Sequence, residues 1–233
     1  MRASQDGYTL LELLIGITLL GLLMAALVVG IHVGNKAWQQ GEARMRKVHV
    51  EEERTQFMSA QISSLMPYKV LSQNPELPGE FAVLEASATH LRFLSTMGSH
   101  FRNRAGLLLD EYAIVRTSAR DFSLVLREIP VHDDGSLLRQ LIERVDRDPE
   151  TGKAVITFRP FSLQDSDLRL MTGLQMARFE YFGSQTVGKE PAWTSNWQGG
   201  PEAPYPEAIR FMWQQADQRH QAVFPLRAHT FRK

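Results

Sequence analysis

An apolar stretch near the N terminus constrains this chain more than any other feature. From Leu13 to Ile31 the sequence LLIGITLLGLLMAALVVGI runs for 19 residues without a charge. Extended back to Leu10, it covers 22 residues. As a helix these residues span about 33 Å, the hydrocarbon thickness of a bilayer. Because the stretch is apolar on every side, we expect a membrane helix rather than the amphipathic helix of a soluble protein.

A cleavable secretory signal peptide is a second explanation of the apolar stretch. Such peptides have an apolar core of about 7–15 residues that ends at a small-residue cleavage site. Here the core is longer, and Ala25-Ala26 is followed by Leu27-Val28-Val29 rather than by a polar mature N terminus. A plain membrane anchor accounts for the length, but it leaves the residues before the stretch unexplained.

The residues before the apolar stretch form a motif. The polar segment MRASQDG ends at Gly7 and is followed by Tyr8-Thr9-Leu10-Leu11-Glu12. This pattern resembles the class III signal of type IV prepilins and of type II secretion pseudopilins. The resemblance implies that a membrane aspartic prepilin peptidase cleaves between Gly7 and Tyr8, and that the new α-amine of Tyr8 is methylated.

Two features depart from the family pattern. Tyr8 stands where Phe is commoner, and Arg2 and Asp6 cancel in a leader that is usually basic. Basic residues also follow the apolar stretch, and a simple positive-inside count would place the C-terminal side in the cytoplasm. The resemblance implies the opposite orientation, with the body of the protein in the periplasm, and we follow it.

Glu12 is the one ionisable group within the extended apolar stretch. A carboxylate at the centre of a membrane helix costs about 2.5–3.5 kcal/mol, and less near the helix end. After cleavage, Glu12 would lie one turn from the amine of Tyr8, and the helix dipole favours an anion there. The resemblance implies that Glu12 reaches the amine of a neighbouring subunit in a filament; a carboxylate that merely extends to the interface is the alternative.

The helical pattern continues beyond the membrane as far as Met66. Apolar residues recur at helical spacing, among them Trp38, Met45 and Val48, on a segment that is otherwise charged, and Pro67 ends the pattern. We expect this half of the helix to pack on the protein's own head. Binding to a partner helix through Trp38, Met45 and Val48 is the alternative.

The sequence therefore divides into a leader (1–7), a membrane helix (8–34), an amphipathic continuation (35–66) and a β-rich head (67–233). We predict an α+β, pilin-like fold. Alternating β-branched and aromatic residues predict eight strands: Glu80–Leu84, His90–Ser95, Tyr112–Thr117, Phe122–Ile129, Ala154–Arg159, Met176–Phe182, Ile209–Trp213 and Ala222–Arg227. Leu137–Val145 fits a helical turn or a strand.

The segment from Glu190 to Pro206 contains four prolines and predicts a long loop. Its aromatic residues Trp193, Trp197 and Tyr205 would either form a partner-binding patch or pack on the protein's own sheet. The Leu91–Phe93 strand, this tryptophan-containing loop and the late strand after Pro206 resemble the J-type minor pseudopilins of type II secretion.

Composition argues against several kinds of chemistry. The chain has 26 basic and 26 acidic residues and no cysteine. The balance argues against a nucleic-acid partner, and the missing cysteines exclude disulfides, thiolate metal sites and cysteine nucleophiles. The histidines are scattered, and nucleotide-binding and serine-hydrolase motifs are absent. We predict no catalytic residue, no metal and no cofactor.

The resemblance implies a non-catalytic subunit of a type II secretion pseudopilus, held in the inner membrane with its head in the periplasm. The implied partners are membrane lipid, a prepilin peptidase, the minor pseudopilins I and K, the major pseudopilin G, and the inner-membrane secretion platform. A minor pilin of a type IV pilus or DNA-uptake system is the alternative, and a tethered envelope enzyme or binding protein is a more distant one.

Overall fold

The computed structural model describes residues 10–71, 80–98, 106–131, 142–147, 154–184, 189–197 and 205–226. These residues form one long helix and thirteen strands. The chain divides into two compact units, Met1–Glu53 and Arg54–Lys233. The second unit, called the head below, contains every strand. The predicted α+β class is confirmed.

The helix, α1, extends over Leu10–Ser63. Our prediction that it reaches Met66 is wrong by three residues. Leu65 forms an isolated bridge with Ser95, and the Met66 N–H donates to the Leu94 carbonyl oxygen at 2.7 Å. The backbone of these residues is thus bonded to a strand of the head before Pro67 is reached.

An antiparallel sheet of five strands forms one layer of the head, in the order β3-β4-β5-β6-β9. Its strands are β3 (Leu84–Ala86), β4 (His90–Ser95), β5 (Leu107–Arg116), β6 (Phe122–Val131) and β9 (Leu168–Leu174). Short hairpins flank it: β1 (Lys69–Leu71) pairs with β2 (Glu80–Ala82), and β7 (Ile142–Arg147) pairs with β8 (Ala154–Phe158).

A second antiparallel sheet has the order β11-β10-β12-β13. Its strands are β10 (Met176–Gly183), β11 (Ala192–Thr194), β12 (Ala208–Gln215) and β13 (Gln218–Pro225). A two-residue turn joins β12 to β13, with φ of 48° at Ala216 and 64° at Asp217. Positive φ at both central residues is the geometry of a type I′ hairpin turn.

The core of the head lies between the two sheets and the last turns of α1. Met58 and Ile62 of α1 join Tyr112 of the five-stranded sheet and Phe179 and Phe211 of the four-stranded sheet, and all five are at most 1% exposed. The ring centroids of Phe179 and Phe211 are 5.0 Å apart. The predicted packing on the head is therefore correct for the last turns of α1.

Several predicted strands were misplaced. β4 has the predicted bounds, but β5 begins at Leu107 instead of Tyr112, and β13 covers Gln218–Pro225 instead of Ala222–Arg227. A search for alternating apolar and polar residues misses part of β5, because consecutive residues of this strand are buried and both faces of the strand are covered. Residues 142–145 are in a strand, which settles the ambiguous segment in part; residues 137–141 and the turns expected at 133–135 and 148–152 lie outside the described residues.

Candidate functional site

Glu12 lies in the first turn of α1. Gly7 and Tyr8, the residues on either side of the expected cleavage point, lie outside the described residues. The structure therefore gives the position of the carboxylate in the helix, and the contact expected between Glu12 and the α-amine stays a prediction. An anion in the first turn is favourable because the N-terminal end of the helix dipole is positive.

The N-terminal half of α1 is long and apolar enough to cross a membrane. Within the segment Leu10–Glu42, an 18-residue stretch reaches a mean hydropathy of 2.7, and none of that stretch is buried. Large apolar side chains point outward along its whole length, and an added Cβ at Gly30 or Gly34 would meet nothing within 4 Å. An apolar surface of this extent needs lipid or other helices around it.

Trp38 and Met45 lie on α1 beyond the apolar stretch, and they are 76% and 74% exposed. Seven residues separate them, which places both on one side of the helix. The side chain of Val48, the third residue of the predicted strip, is outside the described residues. Our expectation that the apolar residues pack on the head is confirmed for Met58 and Ile62. Trp38 and Met45 belong to the other unit, Met1–Glu53, and for them the expectation stays a prediction.

The aromatic residues of the predicted 190–206 loop pack on the head. Trp197 and Tyr205 are each 4% exposed. The backbone N–H of Trp197 donates to the Ala86 carbonyl oxygen at 2.8 Å. Gly183 makes room for the indole, because its φ is +148° and a Cβ there would lie 2.8 Å from Trp197. Of the two alternatives for this loop, packing on the protein's own sheet is correct for Trp197 and Tyr205.

Trp193 belongs to β11, a strand that the loop prediction missed. Its ring lies 5.2 Å from the ring of Phe182 and 4.1 Å from the guanidinium of Arg210. Arg210 also pairs with Glu180. The four prolines and two glycines of the 190–206 segment hid this strand, because such residues argue against a sheet.

A buried polar cluster lies where α1 meets the five-stranded sheet. Gln61 of α1 donates from Nε2 to Glu128 Oε1 at 2.7 Å and to the Met97 carbonyl oxygen at 3.2 Å. Tyr112 Oη donates to Gln61 Oε1. Each of these bonds joins α1 to a different segment of the head, so Gln61 fixes the position of the helix end.

Asp110 of β5 is fully buried beside this cluster, and neither of its carboxylate oxygens accepts a hydrogen bond. Burial raises the pKa of Asp110 to about 8, and the charge of Glu128 adds to the rise. The nearby Ser95 hydroxyl lowers the pKa of Asp110 and so offsets part of the rise. In the structure this hydroxyl donates its hydrogen bond to the Met97 carbonyl oxygen, at 3.1 Å. Nothing in the sequence around Asp110 indicates that this carboxyl is buried.

The comparison with known families concerns the N terminus. Residues 2–28 match the family described as the prokaryotic N-terminal methylation motif. The match covers the leader, the expected cleavage point, Glu12 and most of the apolar stretch. The chain is type IV prepilin-like. A search of curated proteins found no match to it.

On the other face of its five-stranded sheet, the prepilin-like protein has a chain of ion pairs. Arg92 Nε lies 2.6 Å from Glu111 Oε1, and Arg127 Nη1 lies 3.5 Å from Glu111 Oε2. Arg127 also binds both carboxylate oxygens of Asp167, at 2.8 and 2.7 Å. The Phe161 ring covers the Arg127 guanidinium at 4.4 Å. These contacts attach the segment before β9 to the sheet.

Hydrogen bonds set the ionisation of Asp167. Its burial alone would raise the pKa, but hydrogen bonds from Arg127 and from the Gln164 N–H outweigh that effect. The pKa of Asp167 is therefore lower than its usual value. Asp167 is charged at neutral pH, and the ion-pair chain is a structural element of the prepilin-like head.

Within the described ranges, no group of three or more histidine, cysteine, aspartate or glutamate side chains is placed to hold a metal ion. The six residues that we predicted as functional fall into three sets. Gly7, Tyr8 and the side chain of Val48 lie outside the described part of the structure. Glu12 lies in the first helical turn, and Trp38 and Met45 lie on an exposed side of α1.

Proposed function

We propose that this protein is a non-catalytic minor pseudopilin, a subunit of a type II secretion pseudopilus that acts in protein secretion across the outer membrane. The observation that carries the proposal is the methylation motif at residues 2–28, which includes the first part of α1, in a chain that continues into a β-rich head. In this proposal the precursor waits in the inner membrane, with its head in the periplasm.

The exposed surface of α1 supports a role as an assembly subunit. The apolar side chains of its Leu10–Glu42 segment are exposed, and such a surface is accommodated equally well by lipid and by like helices. A subunit can therefore leave the membrane for a filament core without exposing this surface to water. Glu12 supplies the polar contact that apolar packing lacks, because an anion buried in the filament needs a cationic partner, here the methylated amine of Tyr8 in a neighbouring subunit.

The proposal of a J-type subunit rests on the head and on the exposed side chains of Trp38 and Met45. The head contains the Leu91–Phe93 strand, the tryptophan-containing segment and the late strand β12 that motivated the resemblance. Trp38 and Met45 present apolar area on a helix that is otherwise charged, which suits a neighbouring pseudopilin helix. We propose the I- and K-type minor pseudopilins as partners, with the major G-type pseudopilin and the secretion platform below them.

A minor pilin of a type IV pilus or DNA-uptake system is the second candidate, because the methylation motif is common to both kinds of filament. Capture experiments separate the two. The full-length protein, processed and solubilised in detergent, should bind the I- and K-type pseudopilins of its own cell. Binding to type IV minor pilins instead would support the second candidate, and binding to neither would contradict both.

Substitutions at the predicted contact residues Trp38 and Val48 test the surface itself. Trp38→Ala should weaken capture of the partner, and Val48→Asp should weaken it further, because an unpaired charge buried in an interface costs several kcal/mol. The neighbouring change Gln39→Ala is the matched control, since Gln39 is also exposed on α1. Equal capture by Trp38→Ala and Gln39→Ala would place the contact elsewhere.

A further inference from the structure

Trp38 is the one tryptophan of α1, and its side chain is exposed. The exposed fraction is 76%, whereas Trp197 and Trp213 of the head are each 4% exposed. Between Tyr8 and Phe57 the sequence contains no other tyrosine, phenylalanine or tryptophan. Tryptophan is enriched where a membrane meets water, because its ring is apolar and its indole N–H needs a polar partner. The position of Trp38 along α1 therefore decides whether lipid can cover it.

The uncharged part of α1 has the length of the hydrocarbon layer. Large apolar side chains are exposed from Leu13 to Val33, and no aspartate, glutamate, lysine or arginine lies between them. In one continuous helix, the distance from Leu13 to Val33 is about 30 Å. The hydrocarbon layer of a bilayer is also about 30 Å thick. Glu12 lies just before this run and Lys36 shortly after it, so a charged residue marks each end.

Trp38 lies at the depth of the lipid headgroups when this run crosses the hydrocarbon layer. It is about 7.5 Å beyond Val33 along the helix axis. A bilayer of about 40–45 Å in total leaves roughly 5–8 Å for each headgroup layer. Side chains of a helix point back toward its N terminus, so the indole ring covers the turn before Trp38 and lies deeper than its own Cα. Backbone position and side-chain direction therefore agree on this depth.

Glu12 and Trp38 together match the full thickness of a bilayer. About 39 Å of helix separates them, and a bilayer with its headgroups is about 40–45 Å thick. When Trp38 is at one headgroup layer of an upright helix, Glu12 is at the other. The Glu12 carboxylate then avoids the cost of a charge at the bilayer centre. One position of α1 thus places both side chains at a boundary with water.

Met45 differs from Trp38 in this respect. It is 74% exposed, but it lies about 18 Å beyond Val33 and so outside the headgroup layer. Lys36, which precedes Trp38, is exposed, and at this depth a lysine ammonium can reach lipid phosphates. Of the two exposed residues that we assign to the partner contact, lipid can therefore cover Trp38 but not Met45.

We propose that, before the subunit assembles, the Trp38 ring lies in the lipid headgroup region on the C-terminal side of the span, with the Lys36 ammonium on the lipid phosphates. This inference rests on the proposed function, in which the precursor is stored in the membrane. On assembly the ring leaves the lipid, and the helix of a neighbouring pseudopilin takes the place of the headgroups. Lipid and partner helix thus cover the same side chain in turn.

Depth-dependent quenching of tryptophan fluorescence tests the inference. The full-length precursor, produced without peptidase, is reconstituted at low density in vesicles of phosphatidylcholine and phosphatidylglycerol. Part of the phosphatidylcholine carries a nitroxide quencher, either on the headgroup or at the end of an acyl chain. We expect the headgroup quencher to reduce the emission more than the acyl-chain quencher does. Stronger quenching by the acyl-chain quencher, or no quenching by either, would overturn the proposal.

Variants assign the quenched signal to a residue. The chain has four tryptophans, and the other three lie in the head. Trp38→Phe should lose the headgroup quenching, whereas the control Trp193→Phe, which removes a tryptophan of the head, should retain it. Equal headgroup quenching of Trp38→Phe and the unmodified protein would mean that a tryptophan of the head contacts lipid, and it would contradict the proposal.

Flotation of the vesicles separates this inference from the proposed function. Protein that floats with the vesicles but shows no headgroup quenching contradicts the position of Trp38 alone. Protein that does not float contradicts storage in the membrane, on which both proposals rest.

Discussion

Tyr112 Oη donates a hydrogen bond to Gln61 Oε1, which joins the middle of the five-stranded sheet to the end of α1. Both side chains are fully buried. A buried acceptor that loses its donor keeps its desolvation cost, and this makes the pair a sensitive probe of how the helix is held on the head.

We expect Tyr112→Phe to lower the free energy of unfolding by about 1–3 kcal/mol, because it leaves Gln61 Oε1 without this donor. Chemical denaturation of the protein measures the change. The double variant Tyr112→Phe with Gln61→Met removes both polar groups, so it should cost less than the sum of the single changes. Additive single effects would mean that the two residues do not interact.

The ion pair between Arg127 and Asp167 gives the head an acid-sensitive contact. Because the folded-state pKa of Asp167 is below the unfolded value of 3.8, the pair stabilises the fold above pH 3.8. That stability is lost as the pH falls through the lower folded-state pKa. We expect Asp167→Asn to destabilise the protein at neutral pH and to reduce its loss of stability in acid.

Unfolding measured between pH 7 and pH 3 checks this prediction. The control is Asp165→Asn, which changes an exposed carboxylate two residues away. If Asp167→Asn and Asp165→Asn have the same pH profile as the unmodified protein, the contact with Arg127 does not set the ionisation of Asp167.

The turn between β12 and β13 is strained in its present sequence. Ala216 and Asp217 both have positive φ, which costs an L-residue about 1–2 kcal/mol when its side chain gives no compensation. Replacing the pair with Asn-Gly, the sequence that type I′ turns prefer, should raise Tm. Ala216→Pro is the opposite control, since proline cannot adopt positive φ, and it should lower Tm.

Glu12→Ala tests the assembly role of the membrane carboxylate. The variant should insert and be cleaved like the unmodified protein, because removing a charge favours insertion. It should enter filaments poorly, because the amine of a neighbouring subunit loses its counter-charge. Glu12→Asp keeps the charge on a shorter side chain and should retain part of the assembly. Normal filament incorporation and secretion with Glu12→Ala would contradict an assembly role and would favour the alternative, a carboxylate that only extends to the membrane interface.

The membrane helix and the β-rich head could be predicted because each depends on a local pattern. Length and hydropathy define α1, and alternation defines β4 without error in its bounds. The hairpin between β12 and β13 escaped prediction because Ala216-Asp217 carries no turn signal; tertiary pairing of the strands imposes that geometry. The helix end escaped for a similar reason, since Leu65 pairs with Ser95, which is distant in sequence.

The candidate functional residues also differ in whether a local sequence pattern indicates them. Gly7, Tyr8 and Glu12 follow from a contiguous motif, so sequence alone indicates them. Asp110, Glu128 and Gln61 come together only through strand register and helix packing, and each is unremarkable in its own segment. The exposure of Trp38 and Met45 within their unit could not be predicted either, because helical spacing does not say whether a side chain is buried or exposed.

Prepilin-type processing is the central claim, and Gly7 tests the specificity of the cleavage. The resemblance places Gly7 directly before the cleaved bond, where the peptidase requires a residue without a side chain. We expect Gly7→Val to block cleavage. Gly16→Ala is the control, since Gly16 lies within α1 and an added Cβ there meets nothing within 4 Å. Equal processing of the two variants would contradict the assigned cleavage position.

The most direct measurement is the intact mass of the protein after co-expression with a prepilin peptidase. The account predicts a mature chain that has lost MRASQDG, begins at Tyr8 and carries one methyl group on its α-amine. A mature chain that retains these seven residues, or one cut after Ala26, would contradict it.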